Sequence, residues 1–200
     1  MLGDFDLDLS HREEYHPVIT NCLHPCAIFQ GFQSSSDKKH DVEVTIQSVD
    51  LSNKELYGYL MIENLTNEYP TLTTYFGGEI ISEKYPFVTG KWGANIETDF
   101  CHWQKIPAIN NFPNFFKNNF DYNTIDSAGY ILMRWKELFV IPNTDVKEIQ
   151  GASIAGFYYV SLCKASGEIN GYYYHADSER FQSLTLKYRP TKAQPSYQLA

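Results

Sequence analysis

One carboxylate in this chain, that of Glu137, falls where a charge is energetically unfavourable. It lies in the segment 130–141, whose β-branched and aromatic residues predict a strand. Side chains alternate between the two faces of a strand. The face that holds Glu137 is the more apolar one, with Ile131, Met133, Trp135, Phe139 and Ile141. The opposite face holds both basic residues, in the series Tyr130, Leu132, Arg134, Lys136, Leu138 and Val140. A carboxylate removed from water needs a cation or several hydrogen-bond donors, so Glu137 must have a partner.

The partner of Glu137 decides which chemistry it performs. Acid–base catalysis usually requires a second carboxylate, and none accompanies Glu137; the sequence also lacks a Gly-x-Ser-x-Gly elbow and a His-Glu-x-x-His motif. We therefore expect a non-catalytic protein. A small organic cation beside tyrosine hydroxyls is a second solution, and a peptide α-amine, with a pKa of about 7.7–8.0, is such a cation. A structural ion pair with a Lys or Arg of a neighbouring strand is the third, and the residues alone leave these two open.

Other candidate sites are weak. Cys22, Cys26 and the Cys101-His102 pair are spaced too loosely for a zinc site, so we expect ordinary thiols and no metal or cofactor. The small-residue segment 151–156 precedes a strand rather than a helix and lacks Gly-Lys-Ser/Thr, which argues against a nucleotide loop. It suits a tight bend, or a close approach of a ligand backbone with hydrogen bonds from Ser153.

Composition excludes several classes of protein. The formal net charge of -8 lacks the basic footprint of a nucleic-acid binder. No apolar run approaches the roughly 20 residues of a membrane helix. The acidic first residues lack a signal-peptide core, and the four cysteines follow no disulfide framework, so we expect a cytoplasmic or nuclear protein.

The elements that position these residues are mostly strands. Alternating or aromatic runs predict strands at 42–48, 56–62, 71–76, 79–82, 130–141, 157–163, 168–175 and 184–188. Gly77-Gly78 predicts a bulge or bend. The spacing of 99–105, and of Phe112, Phe115, Phe116 and Phe120, predicts a helical insertion packed on a sheet. About eight strands with short turns indicate an antiparallel β-barrel or a closed sandwich, with a flexible arm at 1–20 and a polar tail at 191–200.

Four longer motifs carry a family resemblance. They are 69–82 (YPTLTTYFGGEIIS), 133–139 (MRWKELF), 151–159 (GASIAGFYY) and 171–175 (GYYYH). With them the chain closely resembles the vacuolar import and degradation family, the substrate receptors of the GID (CTLH) E3 ubiquitin ligase. The resemblance implies a mainly β fold: an antiparallel eight-stranded β-barrel over 21–190, with short helical insertions and a ligand funnel at one end.

The same resemblance implies a function without catalysis. Such receptors bind proteins that begin with proline, the Pro/N-degron, and present them to the ligase for ubiquitination and proteasomal degradation. The tail at 191–200, which ends Tyr197-Gln198-Leu199-Ala200, would dock on an armadillo-type scaffold subunit. The alternative that we retain is a lipocalin-like barrel that binds a small apolar ligand, although that class leads us to expect a secretory signal or disulfides.

Carried over motif by motif, the resemblance also predicts a site. Glu137 accepts hydrogen bonds from the protonated N-terminal amine, with Tyr158 as the hydroxyl partner. In the empty receptor we expect Glu137 to be partly solvated at the funnel mouth or bonded to Tyr158. The peptide is held by hydrogen bonds from Ser153, Gln33 and Gln182. The pocket for the proline ring is lined by Ile62, Leu65, Leu72 and Tyr173. Ile154 stands where relatives can carry an aromatic residue, so we expect tolerance of non-proline hydrophobic N-termini.

Overall fold

Eight antiparallel strands form a closed barrel in the computed structural model of the chain, which describes residues 22–65, 70–142, 154–178 and 181–190. The strands are β1 (Ile28–Ser34), β2 (Lys39–Asp50), β3 (Glu55–Glu63), β4 (Thr71–Ile80), β5 (Tyr130–Ile141), β6 (Phe157–Cys163), β7 (Glu168–Tyr174) and β8 (Gln182–Arg189). Each strand pairs with the next, and β1 pairs with β8. The predicted eight-stranded β-barrel is confirmed, whereas the predicted arm at 1–20 and tail at 191–200 lie outside the described residues.

Inward-facing apolar side chains fill the barrel. The largest of them, Phe29, Phe76, Trp135 and Tyr158, belong to one contiguous cluster to which all eight strands contribute. Because closure pairs every strand on both sides, the sheet has no free edge, and its interior is a packed core.

β1 is the strand that the sequence analysis did not predict. Its inward positions are Phe29, Gly31 and Gln33, so only one of the three carries a large apolar side chain. A Cβ atom at position 31 would lie 2.0 Å from the carbonyl oxygen of Thr185 on β8, which explains the glycine. A strand built around a glycine and a buried amide has no two-residue hydrophobic period to detect.

Leu138 has no pairing partner on β4 and forms a β-bulge in β5. The residues on either side of it, Glu137 and Phe139, pair with the consecutive residues Phe76 and Tyr75. One extra residue in a strand exchanges the faces of all residues that follow it. The inward series on β5 therefore changes register immediately after Glu137.

The observed course of β4 and β5 contradicts two predictions. β4 runs without interruption through Gly77 and Gly78, so the predicted bend there is wrong. The predicted faces of β5 are also wrong beyond Glu137: Val140 is buried on the inner side, and Phe139 stacks on the outer side of the sheet. Counting along one strand cannot reveal the bulge, because it is defined by the register with the neighbouring strand.

A second apolar cluster lies between the outer face of β5 and β6 and the insertion that precedes β5. The insertion contains α1 (Ile96–Lys105), a 3-10 helix (Pro107–Asn111) and α2 (Asn123–Asp126). The predicted helix around 99–105 is confirmed. The prediction of a helix from the spacing of the phenylalanines after it is wrong, since residues 112–120 form successive turns. Asn114 adopts a positive φ of 64°, which a right-handed helix cannot contain.

Buried polar contacts fix the insertion to the barrel. The guanidinium of Arg134, which is 1% exposed, donates to the carboxylate of Glu79 at 3.0 Å and to the carbonyl of Pro86 at 2.8 Å. The fully buried carboxylate of Asp99 accepts from the Tyr159 hydroxyl at 2.7 Å. Buried charges are stable only when paired in this way, so β5 and β6 are held rigidly from the outside.

Candidate functional site

A cavity of about 340 Å³ opens at one end of the barrel. In an up-and-down barrel the ends of odd-numbered strands and the starts of even-numbered strands lie at the same end, and the lining residues come from those positions. The described residues that line the cavity are Gln33, Ile62, Leu65, Leu72, Glu137, Ile154, Tyr158, Tyr173, His175, Asp177, Ser178 and Gln182. Every predicted site residue is among them except Ser153, which lies outside the described residues.

One wall of the cavity is apolar. Leu72 on β4 packs with Val140 on β5, and the half-buried side chains of Leu65 and Ile154 cover this pair. Val140 reaches this wall only because the bulge at Leu138 turns it inward. The wall therefore depends on the register of β5 as much as on its side chains.

Glu137 is the acidic group of the cavity. The residue is only 4% exposed, so the expectation of a partly solvated carboxylate is wrong. Its Oε1 accepts a hydrogen bond from the Thr74 hydroxyl at 2.8 Å, and no donor in the described part of the chain reaches Oε2. Burial raises the pKa of Glu137 to about 7; the bond from Thr74 and the charge of Lys136 oppose this shift without cancelling it.

No Lys or Arg among residues 22–65, 70–142, 154–178 and 181–190 forms an ion pair with the Glu137 carboxylate. The other two buried acids of the described residues, Glu79 and Asp99, are paired on the outside of the barrel. Glu137 thus differs from them: it faces a cavity, and one of its oxygens has no donor among the described residues.

A chain of hydrogen bonds crosses the barrel above this carboxylate. The hydroxyl of Tyr158 on β6 donates to Gln33 Oε1 on β1 at 2.9 Å, and Gln33 Nε2 donates to Gln182 Oε1 on β8 at 3.0 Å. The expectation that Tyr158 bonds to Glu137 in the empty site is therefore wrong. Because a hydroxyl has one hydrogen, and that of Tyr158 is engaged in the bond to Gln33, its oxygen can still accept a hydrogen bond. Burial also raises the pKa of Tyr158, so the hydroxyl keeps that proton.

Gly156 forms the rim between the small-residue segment and β6. Its backbone N–H donates to the Tyr173 hydroxyl at 3.1 Å. A Cβ atom at position 156 would lie 2.4 Å from that hydroxyl oxygen and 2.2 Å from the carbonyl oxygen of Tyr174. The absence of a side chain at position 156 thus lets the Tyr173 hydroxyl approach the main chain and lets its ring line the cavity.

Comparison with known proteins decides the family. A profile of the family described as vacuolar import and degradation protein matches residues 22–189. The chain belongs to this family. It is 47% identical over 182 residues to the Glucose-induced degradation protein 4 homolog of Mus musculus, covering 90% of this chain and 84% of that protein. It is 35% identical over 181 residues to the GID complex substrate-recognition subunit 4 of Schizosaccharomyces pombe (82% and 89% covered), and 29% identical over 229 residues to the subunit of that name from Saccharomyces cerevisiae (86% and 63% covered).

The family match spans all eight strands, so the cavity lies within the part shared with these relatives. Sequence reasoning missed four residues of the site: Thr74, which bonds Glu137, and the rim residues His175, Asp177 and Ser178. Thr74 carried a usable signal. It is a polar residue between the inward-facing Leu72 and Phe76, which is the same anomaly that singled out Glu137.

The described residues contain no group of three or more His, Cys, Asp or Glu side chains that could hold a metal ion. Cys22 is buried in the barrel cluster, whereas Cys26 and Cys101 are exposed. The Nδ1–H of His102 on α1 donates to the Thr98 carbonyl oxygen at 2.7 Å, and the ring stacks on Tyr159. None of the helices in the described part of the chain is long and apolar enough to cross a membrane.

Proposed function

We propose that this chain is a non-catalytic substrate-recognition subunit of a GID/CTLH ubiquitin ligase, and that its cavity binds the N-terminal proline of target proteins. The names of its relatives support the role of a substrate-recognition subunit. One observation supports the ligand: a buried carboxylate faces the cavity with an oxygen that no described donor reaches.

The acceptors of the cavity favour a cation. Glu137 Oε2 is a carboxylate oxygen and accepts hydrogen bonds. The Tyr158 oxygen is also an acceptor, because its hydroxyl hydrogen is already donated to Gln33. A protonated amine supplies charge and two or three donors, and charge-assisted hydrogen bonds in a buried site are the strong ones. The α-amine of a peptide is protonated to a large extent at neutral pH, since its pKa is about 7.7–8.0.

The apolar wall favours a compact, rigid side chain next to that amine. Ile62, Leu72 and Tyr173 are each at most 5% exposed and line the cavity close to the polar groups. A proline ring fills such a pocket and has its φ fixed, so binding orders fewer rotatable bonds. The amide of Gln182, whose oxygen already accepts from Gln33, has an amino group with which to hold a peptide carbonyl.

The rest of the function follows as part of the same proposal. The receptor would act in the cytoplasm or nucleus, with the 191–200 tail docked on an armadillo-type scaffold subunit, so that a bound protein is presented for ubiquitination. A lipocalin-like role is the second candidate, because the apolar wall also suits a small apolar ligand. Such a ligand would leave the buried Glu137 without a partner, which makes this candidate the weaker one.

The test is peptide binding measured by fluorescence polarisation with a C-terminal label. A peptide that begins with proline should bind, and acetylation of its amine should abolish binding. Glu137→Ala should lose about 2–5 kcal/mol, because it removes one partner of a buried charged pair. Glu63→Ala, which changes an exposed acid at the end of β3, is the matched control and should bind normally. Binding that survives acetylation, or that survives Glu137→Ala, contradicts amine recognition, and a lipid that co-purifies in native mass spectrometry would favour the second candidate.

A further inference from the structure

Lys136 connects the two sides of the cavity although its side chain does not line it. We propose that Lys136 is a positioning residue: it fixes the distance between Glu137 and the Ile154 wall, and so sets the selectivity of the cavity for the first residue of a bound peptide. The inference rests on the proposed function and adds a determinant of specificity outside the cavity itself.

The ammonium of Lys136 bridges two main-chain carbonyls at the point where the pairing of β5 with β6 ends. Lys136 and Phe157 are the last paired residues of β5 and β6 on this side of the barrel. Beyond them, the ammonium of Lys136 donates to the carbonyl oxygen of Glu137 at 2.9 Å and to the carbonyl oxygen of Ile154 at 2.8 Å. One side chain thus joins the main chain of the acid to the main chain of the apolar wall.

The chemistry of the bridge favours lysine. Two main-chain carbonyls need two donors from one centre, and an ammonium offers three N–H groups that rotate into place. The side chain is half-buried, and burial lowers the pKa of Lys136 while the neighbouring Glu137 raises it in part. Hydrogen bonds from a charged donor in such a position are stronger than neutral ones, so the bridge resists opening.

Selectivity follows from what the bridge joins. Glu137 holds the amine end of the ligand, and Ile154 and Leu72, which pack with Val140, line the wall beside the first side chain. Because one ammonium binds the main chain of both Glu137 and Ile154, the distance between the amine site and the apolar wall is fixed. A ring of the right size fits, and a larger or more flexible side chain does not. If the bridge is cut, the wall can yield, and the cavity discriminates less.

The chain provides a matched control for this lysine. Lys164 follows β6 at the opposite end of the barrel and likewise bridges two main-chain carbonyls, those of Ala128 at 2.7 Å and Asp126 at 3.3 Å. Removal of either ammonium therefore disturbs a comparable structural contact. Of these two lysines, only Lys136 bonds to the main chain of residues that line the cavity. A change in selectivity that occurs only in the Lys136 variant therefore reports positioning rather than general stability.

The experiment compares Lys136→Met, Lys136→Arg and Lys164→Met in the full chain. Dissociation constants are measured for peptides that differ only in the first residue (Pro, Val or Leu), together with the melting temperature and the exchange rate of the Gly156 amide. Lys136→Met should lower the ratio of the Val to the Pro dissociation constant on the order of tenfold, the loss expected for one charge-assisted hydrogen bond. It should also speed exchange at Gly156. Lys136→Arg should restore most of the selectivity, and Lys164→Met should leave the ratio unchanged even where it lowers the melting temperature.

A double-mutant test shows whether Lys136 acts through the wall. In an Ile154→Ala background, Lys136→Met should produce no further change in the ratio, because the side chain that it positions is gone. An unchanged ratio in Lys136→Met, with all peptides weakened equally, overturns the inference and leaves the proposed function intact. A wild-type chain that binds no N-terminal peptide overturns both. If Lys136→Met does not fold, Lys136→Gln, which keeps one donor group, is judged by the same ratio.

Discussion

Acidification from pH 7.5 to 6 should weaken the binding of a proline-initiated peptide, because Glu137 must be ionised to hold an ammonium. Burial raises the pKa of Glu137 to about 7 in the empty cavity. The bound ammonium stabilises the ionised carboxylate, so at acidic pH binding requires Glu137 to release a proton first. The peptide amine sets the opposite limit, since above about pH 8 it loses its charge.

The size of the effect follows from these two pKa values. Below a pKa of about 7 the ionised fraction of Glu137 falls tenfold for each pH unit, which is about 1.4 kcal/mol of binding free energy. The dissociation constant should therefore rise about tenfold at pH 6 and about a hundredfold at pH 5 relative to its plateau. Neutralisation of the amine should raise it about tenfold at pH 9, so binding should be tightest near pH 7.5.

Isothermal titration calorimetry between pH 5 and 9 measures this profile directly. At pH 6 a comparison of two buffers with different ionisation enthalpies should reveal the release of about one proton on binding. The other charged or titratable groups that face Glu137 or line the cavity are Lys136, Tyr158, Tyr173, His175 and Asp177. His175 carries the imidazole among them, so His175→Gln is the control for a pH dependence that does not arise from Glu137.

Two results would refute this reasoning. One is an affinity that stays constant between pH 6 and 7.5. The other is an acidic limb that disappears in His175→Gln but persists in the weak residual binding of Glu137→Gln. Either outcome would mean that Glu137 is not the group whose ionisation limits binding.

Two further predictions concern the environment of the same carboxylate. The folded-state pKa of Glu137 is raised from 4.5 to about 7, so the stability of the free chain should fall as pH rises through this window; Glu137→Gln should therefore raise the free energy of unfolding by about 3 kcal/mol at pH 8 and by little at pH 4.5. Thr74→Val should weaken peptide binding about tenfold at neutral pH and move the acidic limb to higher pH, because it removes the hydroxyl that donates to Glu137 Oε1 at 2.8 Å.

Each of these predictions has a control in the chain. Urea unfolding at the two pH values tests the first, with Glu63→Gln as an exposed acid whose removal should change neither value by more than a few tenths of a kcal/mol. An equal effect of Glu137→Gln at both pH values would contradict it. For the second, Thr73→Val alters the neighbouring threonine, which pairs with Ile141 and does not line the cavity, and it should bind normally. Equal losses in Thr73→Val and Thr74→Val would show that the fold rather than the hydroxyl is responsible.

The parts of the fold that could be read from the sequence are those with a regular period. Alternation predicted β2 and β3, and the apolar runs before and after 164–167 predicted β6 and β7. β6 is buried on both faces, inside by the barrel and outside by the insertion, which is why its apolar run is nearly continuous. β1 had no such period, since a glycine and a glutamine occupy two of its three inward positions.

Nine of the ten residues predicted for the site line the cavity, but their contacts with one another could not be predicted. Residue pattern singled out Glu137, and the family resemblance assigned Tyr158, Gln33 and Gln182 to the same site; all four line the cavity. Neither the residue pattern nor the resemblance could show that the Tyr158 hydroxyl donates a hydrogen bond to Gln33. That bond joins residues that are 125 positions apart in sequence, on strands that face each other across the lumen. The depth of Glu137 was underestimated for a related reason: the burial of a side chain near a barrel end depends on what every other strand places there.

The bulge at Leu138 determines which side chains of β5 face the binding end of the barrel. Leu138 is itself 49% exposed, so replacing it with a polar residue would leave its neighbours in place. Deleting it would restore a regular ladder between β4 and β5, in which Phe139 still pairs with Tyr75 on the outside and Val140 still pairs with Thr74 on the inside. If Leu138 instead paired with Tyr75 in a regular ladder, Phe139 would pair with Thr74. An aromatic ring would then stand on the inner side, against Leu72. For a receptor of this architecture, placing one extra residue of β5 in a bulge can therefore preserve a binding site that a shift of strand register would alter.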